Sequence, residues 1–185
     1  MSMAEIGASS YRRFLLGETD ALNQFVTAYS DALVRFAAGY VRSEAVAEDV
    51  AAEAIALLLY KRKSFPDEAR MRSYLYKTVR SKAMDYLRHH GEEVPLEDME
   101  AVLGGGDPLQ DLLRRERDAG LYRCLGQLPQ QYREVLTLAY LEDFGAMEIC
   151  TVMGKRTKQV YNLLARAKTA LKELLDKEGI TYEDL

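Results

Sequence analysis

Residues 146–177 read AMEICTVMGKRTKQVYNLLARAKTALKELLDK. A short apolar stretch, Ala146 to Met153, stops at Gly154, and a longer periodic one starts near Thr157 and runs to about Lys177. Two helices joined by a tight, glycine-containing turn make a helix-turn-helix. At about 100° per residue, Val160, Leu163, Leu164, Ala167, Leu171 and Leu174 share one side of the second helix. Lys158, Asn162, Arg166 and Thr169 fall on the other side, with Gln159 in the first turn and Lys155 and Arg156 just upstream. Residues 155–172 carry six Lys/Arg and no acid. Amide side chains near a helix start can pair with adenine edges, and cations can reach guanine or phosphate, so this face suits a duplex groove.

Working upstream, Leu128-Pro129 opens another helix, with proline where a missing N–H costs nothing. Val135, Leu136, Leu138 and Ala139 give its core face, and Glu142-Asp143-Phe144-Gly145 breaks it. A helix is expected over about Pro108 to Leu125. Between Gly91 and Asp107 periodicity gives way to acids, one proline and Gly104-Gly105-Gly106. No strand precedes that triple glycine and no Gly-Lys-Ser/Thr follows it, so it reads as a flexible joint and not as a phosphate loop.

The amino-terminal part is periodic as well. Leu22, Phe25, Val26, Tyr29, Leu33, Phe36 and Tyr40 recur at three- and four-residue steps over about Asp20 to Tyr40. A shorter helix around Tyr11 to Leu16 precedes it. Ser43 opens the next, with Val46, Val50, Ala54, Leu57 and Leu58 as its stripe and Glu44, Glu48, Asp49 and Glu53 in its early turns, where acids suit the positive helix end. Phe65-Pro66-Asp67 interrupts the pattern. From Asp67 to His89, Met71, Leu75, Val79, Ala83 and Leu87 form one stripe, flanked by Tyr74, Tyr76 and Tyr86. Arg70, Arg72, Lys77, Arg80, Lys82 and Arg88 cover much of the rest. Cations interleaved with flat rings suit single-stranded nucleic acid, because cations track phosphates and rings stack on bases. Tyr74 and Tyr76 are also candidates for the core, Tyr74 the stronger of the two.

The expected fold is therefore all-α: two small helical domains, 1–90 and 108–185, joined by a flexible acidic linker at 91–107, the second domain a helix-turn-helix. Apolar residues at 48% and charged residues at 29% fit a folded soluble chain. No run approaches the ~20 apolar residues of a membrane span, and the start lacks the pattern of a signal peptide, so a cytoplasmic protein without membrane insertion is expected. The net charge of −4 conceals a partition. Residues 61–90 hold nine Lys/Arg against three Asp/Glu, whereas residues 91–120 hold nine acids against three bases. Local field governs binding to a polyanion more than total charge does.

Nothing points to an enzyme or a cofactor. Cys124 and Cys150 lie in no Cys-x-x-Cys or Cys/His cluster and read as small buried hydrophobes. His89 and His90 are adjacent, hence about 100° apart on a helix, and do not converge on a metal or a substrate.

The motifs resemble those of RNA polymerase sigma factors of the extracytoplasmic-function (ECF) group. Leu128-Pro129-Gln130-Gln131-Tyr132-Arg133-Glu134-Val135-Leu136, then Tyr140-Leu141-Glu142, Glu148-Ile149 and Val160, Leu164, Arg166, Ala167 and Leu171, are similar to that family's carboxy-terminal domain. Ala47-Glu48-Asp49-Val50 with Glu53 resembles its polymerase-binding helix. Tyr74-Leu75-Tyr76 and Asp85-Tyr86-Leu87-Arg88 resemble its promoter-melting helix. The chain departs from the pattern at Tyr161-Asn162-Leu163, where Lys-Ser-Arg is frequent, at Ala52 for glutamine, at Ser81 for asparagine and at Tyr74 for tryptophan.

The resemblance implies an alternative sigma factor that binds core RNA polymerase and directs initiation at promoter DNA. It implies polymerase contact through Glu48, Asp49 and Glu53. It implies contact with the minus-ten element through Phe65, Arg70, Arg72, Tyr76, Lys77, Arg80 and Lys82, with Phe65 to Met71 capturing a flipped base. Reading of the minus-thirty-five element would fall to Lys155, Arg156, Lys158, Gln159, Asn162 and Arg166. It further implies an anti-sigma partner and a monomer on the polymerase. Two other readings stay open from the residues: a helix-turn-helix repressor with a ligand-sensing or dimerising amino-terminal bundle, and a sigma mimic that only sequesters an anti-sigma factor.

Overall fold

The computed structural model describes residues 3–41, 43–90 and 120–180. Every element among them is helical: α1 (Met3–Leu15), α2 (Asp20–Val41), α3 (Glu44–Lys61), α4 (Glu68–His90), α5 (120–127), α6 (Gln130–Leu136), a π-helical turn (Thr137–Leu141), α7 (Ala146–Met153) and α8 (Thr157–Glu178). The expected linker at 91–107 and the start of the expected helix at 108 lie outside the described residues.

In the amino-terminal half α2 packs against α1, α3 and α4. The apolar stripes meet as the periodicity requires: Phe25, Leu33 and Phe36 of α2, Ala54 and Leu58 of α3, and Leu75, Val79 and Ala83 of α4 are all buried. Burying a side chain of the Leu or Phe class is worth roughly 1.5–3 kcal/mol, so these stripes fix the bundle. In α3 the chain stops at Arg62, which adopts the left-handed conformation (φ 46°) while its N–H reaches the carbonyls of Leu58 and Leu59.

The carboxy-terminal half is built around α8, which packs on α6 and α7. Val160 and Ala167 are fully buried, and Leu163, Leu164, Leu171 and Leu174 lean on the same core. Gly154 makes the helix-turn-helix turn at φ 64°, a conformation that costs glycine nothing. The side chain of Glu148 accepts from the N–H of Gly145, and that of Gln159 from the N–H of Arg156, each at 2.8 Å. Both helices of the motif thus begin on a side-chain cap.

The two expected helical halves are present, and in the structure they dock on one another. α4 packs against α7 and α2 against α6, and one hydrophobic core runs from Tyr11 to Ala167. The sequence offers little warning of this docking: Arg72, Tyr76 and Arg80, which meet Glu142 and Glu134 across it, are residue types that suit other partners equally well.

Candidate nucleic-acid and polymerase interface

The acids of α3, Glu48, Asp49 and Glu53, are exposed on one flank of the amino-terminal half. Glu53 reaches across to α4, where the Nζ of Lys82 donates to it at 2.6 Å. The expected polymerase-binding set and the expected minus-ten set therefore adjoin.

The loop between α3 and α4 is held from α1. The hydroxyl of Tyr11 donates to the carbonyl of Lys63 at 2.8 Å, and Arg12 donates to that of Pro66 at 3.2 Å. Arg62 returns the contact, donating to the carbonyl of Leu15 at 3.1 Å. Burial pushes the Tyr11 hydroxyl up to about 12, so it stays a donor at physiological pH. Phe65 is half-buried, 6.3 Å from the Tyr11 ring and 5.4 Å from Tyr74, with the Lys63 ammonium over both Phe65 and Tyr74. Arg70 stays exposed beside Asp67, whose carboxylate caps its backbone N–H at 2.8 Å. α1 was expected only as a short helix and with no part in a site; its role appears in three contacts to backbone carbonyls, which no side-chain pattern reveals.

Further along α4 the expected cations divide. Lys77 is exposed. Arg72, Tyr76 and Arg80 face the carboxy-terminal half. Arg72 donates to the carbonyl of Glu142 at 2.6 Å and lies 4.5 Å over the ring of Phe144. Arg80 pairs with the Glu134 carboxylate at 2.7 Å, and that carboxylate is 2% exposed. The Tyr76 hydroxyl donates to the Glu142 side chain in a short hydrogen bond, and its ring sits between Phe36 and Phe144 at 5.0 and 4.9 Å. Tyr76 is 1% exposed, so in this arrangement it does not stack on a base; Tyr74, the expected core member, is only half-buried. The residues that sequence reasoning missed are Glu134, Glu142 and Phe144. Glu134 carried one usable signal, an acid set within the apolar face of a helix.

Desolvation dominates both acids. Burial pushes Glu134 above the usual carboxylate range against the opposing pull of Arg80, with Tyr40 and Lys155 also facing it. It likewise pushes Glu142 up against the hydrogen bond from Tyr76, with Arg35 and Arg72 facing it. A folded-state value raised above the unfolded one means that the folded chain binds protons more readily. That contribution is fully present below the unfolded value and is lost as pH rises through the folded one. Glu134→Gln/Glu142→Gln should therefore lose the part of the wild-type stability that grows as pH falls from 7 towards 5. Urea melts of both proteins at the two pH values check this; a difference between them that does not vary with pH contradicts it.

The recognition set on α8 is open. Arg156, Lys158, Gln159, Asn162 and Arg166 are exposed and Lys155 is half-buried. Gln159 also serves as the cap on the Arg156 N–H. Cys124 is buried and Cys150 half-buried, neither in a disulfide, and no metal-binding cluster occurs among the described residues. Among those residues no helix is long and apolar enough to cross a membrane.

Two family models match in the order of the halves. Sigma-70 region 2 matches residues 25–93 and sigma-70 region 4 matches residues 119–171, about two-thirds of the chain together. The chain belongs to the sigma-70 family. Within it the sigma factor falls in the ECF group. It is 26% identical over 156 residues to RNA polymerase sigma factor SigV of Bacillus subtilis, covering 84% of this chain and 92% of that protein. It is 25% identical to ECF RNA polymerase sigma factor SigM of the same organism, over 88% and 99% of the two chains. It is 26% identical to the ECF RNA polymerase sigma-E factor of Escherichia coli K12, over 84% and 86%. Its fold is similar to that of CnrH, solved in complex with the cytosolic domain of CnrY, at a TM-score of 0.62 and 23% identity over 94% and 97% of the chains. The sigma factor is thus an alternative one, directing transcription initiation.

Proposed function

We propose that the sigma factor divides initiation between its halves. Residues 1–90 dock on core RNA polymerase through Glu48, Asp49 and Glu53 and receive the melted minus-ten strand along Phe65, Arg70, Arg72, Tyr76, Lys77, Arg80 and Lys82. Residues 108–185 read the minus-thirty-five duplex through Lys155, Arg156, Lys158, Gln159, Asn162 and Arg166, with 91–107 as the joint between them. The observation that carries this reading is the exposed polar and cationic face of α8, opposite its buried stripe and directly after the Gly154 turn. Amide and guanidinium groups on such a face have the reach and donor pattern for base edges in the major groove.

The division needs no catalytic residue. Polymerase makes the bonds, and the sigma factor supplies position: two weak contacts on one chain act at a high effective concentration towards each other. Base flipping at the minus-ten element costs a few kcal/mol of stacking, which the α3–α4 loop, braced by Tyr11 and Arg12, offsets by being ordered beforehand. The factor works where polymerase works, in the cytoplasm, as a monomer on the enzyme. An anti-sigma protein is the expected negative partner; the chain similar in fold, CnrH, was solved with the cytosolic domain of CnrY.

The test is to add purified protein to core RNA polymerase with a promoter library and sequence the transcripts. Specific new start sites are expected. A repressor binds duplex DNA by itself and gives core polymerase no new starts. A sequestering mimic binds an anti-sigma factor and yields no transcript.

A further inference from the structure

We propose that Tyr161 makes α8 a reader of thymine: its ring, with the methyl of Ala165 beside it, packs on the C5-methyl group of a thymine in the minus-thirty-five duplex, close to the adenine that pairs with Asn162. This rests on the proposed role of α8. Tyr161 lies in the second turn of α8 and is 59% exposed. Its neighbours on the helix surface are Lys158, three residues before it, and Ala165, four after it, both exposed. Asn162 stands beside it, and all of them lie on the face turned away from the buried Val160 and Ala167. The reading face therefore carries an apolar strip among its amides and cations. At 161 the chain has a ring where the ECF pattern frequently has lysine.

The groove offers such a strip one partner. Among the four bases only thymine shows a methyl group at the major-groove edge. An amide or a cation gains nothing from that methyl, whereas a ring and an alanine bury it. The tip of the same side chain is polar, and a tyrosine hydroxyl can donate to a phosphate oxygen, which fixes the ring's place without reading sequence. The amides divide accordingly. Gln159 commits its side-chain oxygen to the Arg156 N–H, at 2.8 Å, as the cap of the helix. A bidentate adenine contact needs the oxygen and the NH2 together, so that contact falls to Asn162. Adjacent side chains then read adenine and thymine by different chemistry, one by hydrogen bonds and one by burial.

The test uses holoenzyme assembled from core RNA polymerase and the full-length chain, with a promoter taken from the selected start sites. Each thymine of its minus-thirty-five element is replaced singly by deoxyuridine, which removes the methyl and leaves every hydrogen-bonding group in place. One replacement should weaken wild-type binding about fourfold, the factor for one methyl withdrawn from burial. With Tyr161→Ala the same replacement should have no effect. Tyr161→Phe should weaken binding to both fragments alike and keep the preference between them. At that position wild type should bind 5-methylcytosine more tightly than cytosine by a similar factor, and Tyr161→Ala should not distinguish them. Uracil tolerated at every position by wild type, a penalty that survives in Tyr161→Ala, or a selected element without thymine overturns the proposal. If that happens while Lys158→Ala/Asn162→Ala/Arg166→Ala abolishes initiation, α8 remains the reader and only the thymine contact falls. If that triple variant initiates as wild type does, or wild type selects no promoter, the assignment of α8 to the minus-thirty-five element falls and the thymine contact with it.

Discussion

Tyr76→Ala should lower the unfolding free energy by about 3–5 kcal/mol, the usual cost of deleting a buried aromatic side chain. This side chain serves both halves of the molecule. Its ring packs between Phe36 of α2 and Phe144 beyond the π-helical turn, and its hydroxyl satisfies the buried carboxylate of Glu142. The loss has two separable parts. Tyr76→Phe keeps the ring and removes only the donor, leaving Glu142 under-satisfied at a cost of about 1–3 kcal/mol. Urea titrations followed by far-ultraviolet dichroism compare the two variants with wild type. A change of less than about 1 kcal/mol in Tyr76→Ala would show that the ring is not packed between the halves in solution.

The second large effect concerns α8. Lys158→Ala/Asn162→Ala/Arg166→Ala removes three exposed side chains, so folding should hardly change, since surface substitutions usually stay within about 0.5 kcal/mol each. Initiation from promoters bearing the recognised element should fall at least about a hundredfold. A good base contact is worth about 1–3 kcal/mol, and each 1.4 kcal/mol is a factor of ten. Affinity for core polymerase should be unaffected, because the acidic face of α3 is untouched. Run-off transcription from selected promoters, alongside core binding by fluorescence anisotropy, provides the measurement. A loss of transcription below about threefold would remove α8 as the reader.

The helices were legible because each has an apolar stripe and a polar boundary. α2 was expected over Asp20 to Tyr40 and spans Asp20–Val41; α8 was expected to begin at Thr157 and does. Gly154 and Pro129 punctuated the carboxy-terminal half through backbone constraints that a sequence states directly. The π-helical turn at Thr137–Leu141 was not legible, since its widening follows from packing and not from any residue type with a preference for it. The docking of the halves was hidden for a related reason. Arg72, Tyr76 and Arg80 look alike as strand-binding groups and as partners for Glu134, Glu142 and Phe144, because a carboxylate and a phosphate ask the same of an arginine. α1 extends further towards the amino terminus than its periodicity suggested, and its hold on the loop after α3 rests on main-chain acceptors common to every residue.

In the π-helical turn the N–H of Glu142 reaches back five residues to the carbonyl of Thr137, at 3.0 Å, and that of Phe144 reaches Leu138 at 2.8 Å. Such a turn holds one residue more than the regular spiral needs. Loss of a single codon there would let the spiral close to its regular width while the stretches on either side keep their phase, so Glu142 and Phe144 should still reach α4. The widened turn is therefore the place in this stretch where three nucleotides can be lost with the contact between the halves kept.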